Sequence, residues 1–152
     1  IPIVSLVDEP GFLIGPDAEK AGTILHGTEA VLATTESSVP WTTIMIRKSF
    51  GVAAAAHYGP DGYVLAWPSA ESGPLPLEGG VAVAFKKEIA EAKDPEAKRK
   101  ELEEKMAKNQ NPFPRAEAFS VHEIIDPRET RKYISLWAER IQSQLRANLV
   151  NR

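Results

Sequence analysis

The chain has 152 residues, is 43% hydrophobic and 26% charged, and carries a formal net charge of -3. These values describe one ordinary globular domain, exclude a disordered or fibrous chain, and argue against nucleic acid or an anionic membrane as a partner. With no cysteine and three widely separated histidines, His26, His57 and His122, the chain lacks the means for disulfides, thiolate-metal sites, a cysteine nucleophile or a histidine-rich metal site. No apolar run is long enough to span a bilayer and no signal-peptide pattern opens the chain. The expectation is a soluble, cytoplasmic, mixed α/β domain. Because Ile1-Pro2-Ile3 begins directly on a strand-like run without methionine, the chain is read as the C-terminal part of a longer polypeptide.

The β-branched run Ile3 to Val7 predicts a buried strand, stopped by a turn at Asp8-Glu9-Pro10-Gly11. Asp17 to Thr35 predicts one helix, with Asp17 as N-cap and Ala21, Ile24, Leu25, Val31 and Leu32 in approximate helical period. Thr42 to Ile46 predicts a second buried strand. The turn at Gly51 then leads into the alanine run Ala53 to Ala56, a helix start at the sheet edge. Tyr63 to Trp67 reads as a third strand, and residues 70–80 as a loop of turn formers. An amphipathic helix is expected from Val81 to about Ala92. A second helix starts at Asp94-Pro95, so that residues 81–108 form a charged, solvated helical hairpin. Asn109 to Pro114 reads as a loop, Val121 to Ile125 as a short strand, and Thr130 to Leu149 as a final amphipathic helix.

Side chains of the usual catalytic kind are scarce. No G-x-S-x-G, HExxH, P-loop or GxGxxG spacing occurs. Gly51-Val52-Ala53 and Gly79-Gly80-Val81 each place glycine ahead of a helix, where backbone N–H groups can face an anion. By composition alone, a structural role is the preferred reading for either glycine segment. Asp8 and Glu9 can be a carboxylate pair, or turn and cap residues, the reading preferred here. His57 can be a general base or a helix C-cap, and His26 is read as a packing residue.

Five blocks in order go further. Asp8-Glu9-Pro10-Gly11-Phe12 with His26-Gly27, Val39-Pro40 with Arg47-Lys48-Ser49-Phe50-Gly51-Val52-Ala53, Ala66-Trp67-Pro68-Ser69-Ala70-Glu71, Asn111-Pro112-Phe113, and Ile124-Ile125-Asp126-Pro127 with Thr130-Arg131 resemble the carboxyltransferase (β) subunits of biotin-dependent acyl-CoA carboxylases. The resemblance covers nearly the whole chain and is to the C-terminal domain of those subunits. It implies a crotonase-like α/β fold of ββα units in a superhelix, here as a single C-terminal half. The implied activity is transfer of a carboxyl group from carboxybiotin to the α carbon of a short-chain acyl-CoA. The implied partners are an N-terminal acyl-CoA-binding half, a biotin carboxyl carrier with its biotin carboxylase, and further copies in a homo-oligomer.

The same resemblance assigns roles. Val52 and Ala53 would supply backbone N–H donors to the biotin-side oxyanion, Gly51 would permit the turn, and Ala54 and Ala55 would leave room for the bicyclic ring. Val52 stands where the family usually has a second glycine, and Ala55 where propionyl-type enzymes have an aspartate, which leaves acyl preference open. A biotin-dependent decarboxylase or transcarboxylase subunit, or a non-catalytic assembly domain of the same fold, is the alternative. Alone, the chain is expected to be inactive, because the reaction needs a second oxyanion site for the acyl-CoA.

Overall fold

A computed structural model of the chain describes residues 1–142, 145 and 146. Strand β1 (Ile3–Glu9) leads through α1 (Pro16–Lys20) and α2 (Thr23–Thr35) to the long strand β2 (Trp41–Phe50). Then follow α3 (Gly51–Ala55), β3 (Tyr63–Ala66), β4 (Glu71–Gly73), α4 (Leu77–Ala84), α5 (Lys86–Ala90) and α6 (Pro95–Gln110). The described part closes with α7 (Pro112–Glu117), β5 (Glu123–Ile124) and, after a 3₁₀ turn at Pro127–Glu129, α8 (Thr130–Arg140).

All strand pairings are parallel, and β2 is their axis. One side of β2 carries β1; the other carries β3 beside Thr42–Met45 and then β4 beside Lys48–Phe50, while β5 extends the sheet beyond β3. Parallel strands covered on both faces read as continuous apolar or β-branched runs, and Thr42 to Met45 are all buried. Ile44 and Leu65 meet Ile125, Tyr133 and Ile134 on one face, whereas Met45, Val64 and Ala66 meet Val121, Ala116 and Tyr58 on the other. The buried threonine hydroxyls of β2 are satisfied: Thr42 donates to Tyr63 O at 2.9 Å and Thr43 to His57 O at 2.7 Å.

The pairing of β1 with β2 slips between Val7 and Glu9, so that Asp8 alone faces Ile46 to Lys48. Its carboxylate accepts from the Arg47 side chain at 3.0 Å and from Lys48 N at 3.2 Å, which ties down the irregular stretch. Asp8 and Glu9 therefore belong to the strand rather than to the turn expected there.

Other boundaries also differ from expectation. The helix expected from Asp17 to Thr35 is two helices, because the chain takes a left-handed conformation at Gly22; Gly15, not Asp17, is the N-cap, with Pro16 at N1. Three residues of the expected 70–80 loop form β4, too short for any periodicity to show. Helix α4 starts at Leu77, four residues before Val81, and ends at Ala84 with Phe85 as its cap, so the expected helix to Ala92 is divided. Asp94 caps α6 as expected, accepting from Glu96 N and Ala97 N, and Lys98 ties α6 to Glu88 of α5 at 3.1 Å. The expected loop at 109–114 is instead the end of α6 and the start of α7, where Asn111 caps and Pro112 occupies N1. Of the expected last helix, residues 143, 144 and 147–149 lie outside the described residues. Among the described residues, no helix is long and apolar enough to cross a membrane.

Two consequences can be measured. Gly27 is buried on α2 beneath the Phe12 ring, and a Cβ there would lie 2.1 Å from Phe12 Cζ. Gly27→Ala should lower stability by about 2–3 kcal/mol through overpacking, read from urea unfolding. At the sheet edge, partial burial and a hydrogen bond to Glu123 push the Tyr63 hydroxyl from 10.0 up to about 12. Between those pH values the unfolded chain loses this proton first, so the contribution present below pH 10 fades as pH rises. Melting curves from pH 9 to 12 should show a steeper decline for the native chain than for Tyr63→Phe.

Candidate active site

The C-terminal ends of β1, β2 and β4 point the same way, and the segments that follow them enclose a groove of about 590 Å³. Ligands bind at such strand ends in open parallel sheets. One wall is Pro10 to Phe12 with Ile24 and Thr28 of α2; a second is the Phe50–Ala53 turn; a third is Pro74 to Pro76 with Gly79, Gly80 and Val83 of α4. Among the described lining residues none is titratable, and Thr28 is the one polar side chain. What the groove offers a polar atom is mostly backbone.

The turn from β2 into α3 exposes that backbone. Phe50, extended and 1% exposed, anchors the end of the strand in the core. The next residue, Gly51, has φ +64, which reverses the chain within one peptide. The Val52 and Ala53 N–H groups lie in the first turn, where no intrahelical carbonyl is available, and no side chain caps the helix. Val52 is 62% exposed and Ala53, as a whole residue, 3% exposed; both line the groove.

Both glycine segments singled out in the sequence thus line one groove, although only Gly51 leads a helix: α4 has begun at Leu77, ahead of Gly79. Gly79 is the third residue of α4, and the space where its Cβ would stand is open. Ala54 and Ala55 are placed otherwise. Ala54 is buried and Ala55 faces away, and neither is among the lining residues.

The remaining candidates serve the scaffold. The Asp8 carboxyl is held below its ordinary range by its hydrogen bond to Arg47. Glu9 accepts from Gly11 N at 2.9 Å and so shapes the first wall of the groove. The C-cap of α3 is Ala56, not His57, which comes one residue later; the His57 ring bonds with Ser5 Oγ at 3.2 Å and its carbonyl accepts from Trp41 and Thr43. His26 does not pack: its ring is exposed beside Glu29 at 3.2 Å. His122 accepts at Nδ1 from Val64 N. Among the described residues no cluster of three His, Cys, Asp or Glu is arranged to hold a metal. Sequence reading missed the third wall, Pro74 to Pro76. Its signal, two prolines about a leucine after a buried strand residue, looked like any surface loop.

The carboxyl transferase domain family matches residues 1–152. The chain belongs to that family. It is 40% identical over 136 residues to the carboxyltransferase subunit of propionyl-CoA carboxylase from Haloferax mediterranei, covering 86% of this chain and 26% of that protein. It is 41% identical over 139 residues to the methylmalonyl-CoA carboxyltransferase 12S subunit of Propionibacterium freudenreichii subsp. shermanii, covering 89% and 26%. The crystal structure of transcarboxylase 12S, a hexamer with methylmalonyl-coenzyme A and methylmalonic acid bound, superposes with a TM-score of 0.84 at 39% identity, over 94% of this chain and 28% of that one. The fold is therefore crotonase-like, as the five sequence blocks implied, and the chain spans about a quarter of the length of these relatives.

The Gly51 conformation is open to direct test. Gly51→Ala forces a Cβ into the left-handed region and should cost about 1–2 kcal/mol. Val52→Ala, at an exposed position, should stay within about 0.5 kcal/mol of the native chain in the same unfolding assay.

Proposed function

We propose that this carboxyltransferase domain takes part in moving a carboxyl group between biotin and the α carbon of a short-chain acyl-CoA, supplying the oxyanion donors on the biotin side. The observation that carries the reading is a groove whose described lining residues are apolar but for Thr28, with the uncapped start of α3 forming part of its wall. A reaction that creates charge on oxygen, and needs no acid or base from this part of the protein, suits such a site. Preorganised donors in a dry cleft favour the charged transition state and require no reorganisation as it forms.

The groove suits biotin in kind. Its volume is within the usual range for small-molecule sites, its lining is flat and apolar, and the open space above Gly79 leaves room against α4. Val52 and Ala53 would hold the ureido oxygen through their N–H groups, with Gly51 setting the turn; Ala54 and Ala55 would support the same helix from behind. Bound biotin would supply the transferable carboxyl group and the base for the α-proton. The chain's own tasks are to orient that ring, to exclude water with Phe12, Leu75 and Val83, and to stabilise charge at one oxygen. A second oxyanion site, from an acyl-CoA-binding half, completes the reaction, so the 152-residue chain alone is expected to be inactive. Partners on this reading are that half, a biotin carboxyl carrier with its carboxylase, and further copies of the subunit, in the cytoplasm.

The 41% identity to a transcarboxylase subunit supports a second direction of use, in which the carboxyl donor is itself an acyl-CoA and the same donors serve.

The test is loss of the carboxyl group from malonyl-CoA and methylmalonyl-CoA in the presence of free biocytin, with the protein in its natural full length. Biocytin-dependent turnover is expected. Val52→Pro keeps a residue acceptable in a first helical turn but removes one N–H, and should lower kcat about 10²–10³-fold. Oligomerisation without any biocytin-dependent turnover would overturn the proposal in favour of a non-catalytic assembly domain.

A further inference from the structure

We propose that Gln110 is a positioning residue for the groove: its side-chain amide holds the Pro74–Pro76 wall against the start of α3 and so sets how tightly biocytin is bound. The inference rests on the function proposed above. Gln110 is the last residue of α6 and is only 5% exposed. Its Nε2 donates to Leu75 O at 2.9 Å, while its Oε1 is buried with no hydrogen-bond partner.

That combination is costly for mere packing. A buried amide that leaves one polar atom unpaired is less favourable than an apolar side chain of the same shape. What an apolar side chain cannot supply is the donor. The wall needs one, because Pro74 and Pro76 have no N–H and the segment has little means of tying itself to its neighbours. Leu75 is gripped from both sides, by Gln110 through its carbonyl and by α4, where a Cβ on Gly80 would come within 2.8 Å of Leu75 Cβ.

The wall in turn reaches the donor turn. Pro74 O lies 3.4 Å from the place a Gly51 Cβ would occupy, and Gly73 pairs with Phe50. A chain of contacts thus runs from α6 through Gln110 and Leu75 to the backbone that carries the Val52 and Ala53 N–H groups. The charged hairpin, with no described lining residue beyond α4, reaches the Pro74–Pro76 wall through this amide.

The decisive variants, in the natural full-length protein, are Gln110→Met, which keeps the shape and loses the donor, and Gln110→Glu, which can donate only when protonated. For Gln110→Met, amide hydrogen exchange over residues 75–80 should accelerate at least tenfold while β1 and β3 keep their protection. The KM for biocytin should rise at least threefold with kcat within twofold. Gln110→Glu should show the same loosening at high pH and recover as pH falls. Exchange at 75–80 within twofold of the native protein, or acceleration spread evenly over the chain, would overturn the proposal. So would a loosened wall with unchanged KM. If the native protein shows no biocytin-dependent turnover, the proposed function fails, and the exchange result alone decides whether Gln110 anchors the wall.

Discussion

Strand β2 runs buried to Phe50 and then, at a left-handed Gly51, turns abruptly into a helix of five residues. The two halves of that event depend on each other. Phe50 fixes where the strand stops, because its ring fills the core; Gly51 lets the next peptides point outward instead of continuing the ladder. Without the first, the donors have no fixed position, and without the second they are spent on the sheet. The slip of β1 past β2, tied by Asp8 to Arg47 and Lys48, lies immediately upstream and brings Phe50 into register with β4.

From that turn the rest of the groove follows as enclosure. Phe12 folds over Gly27, Leu75 presses on Gly80, and the Gly51 backbone meets Pro74, each a close approach that fixes one wall of the groove. Apolar walls around backbone donors make a low-dielectric site, where an N–H dipole acts on developing charge far more strongly than in water. This is also why the usual catalytic side chains are missing from the sequence. Buried carboxylates or imidazoles would add titrating charge to a groove whose proposed task is to stabilise charge on a ligand.

Much of the architecture was legible from the residues. The three main strands, the start of α3 at Gly51 and the Asp94 cap of α6 were each written locally, in β-branched runs, a glycine and an Asx-Pro pair. The errors were local competitions settled elsewhere. Asn111-Pro112 looked like a loop but serves as cap and first residue of α7. Gly79 and Gly80 looked like the end of a loop but lie inside α4, where Leu75 leaves no room for a larger side chain at position 80. His26 looked like a packing residue because it sits between core-like neighbours, yet it falls on the open face of α2.

The sequence by itself determined the family, the strand order's raw material and the glycine-led start of α3, because those depend on residue type and spacing over a few positions. Only the tertiary structure decided that Gly51 and Gly79 line one groove, that Ala54 and Ala55 are not among its lining residues, and that Gln110 reaches across 35 positions to hold Leu75. Those relations are set by parallel pairing of strands distant in sequence and by packing between helices. No local pattern encodes which carbonyl a buried amide will find.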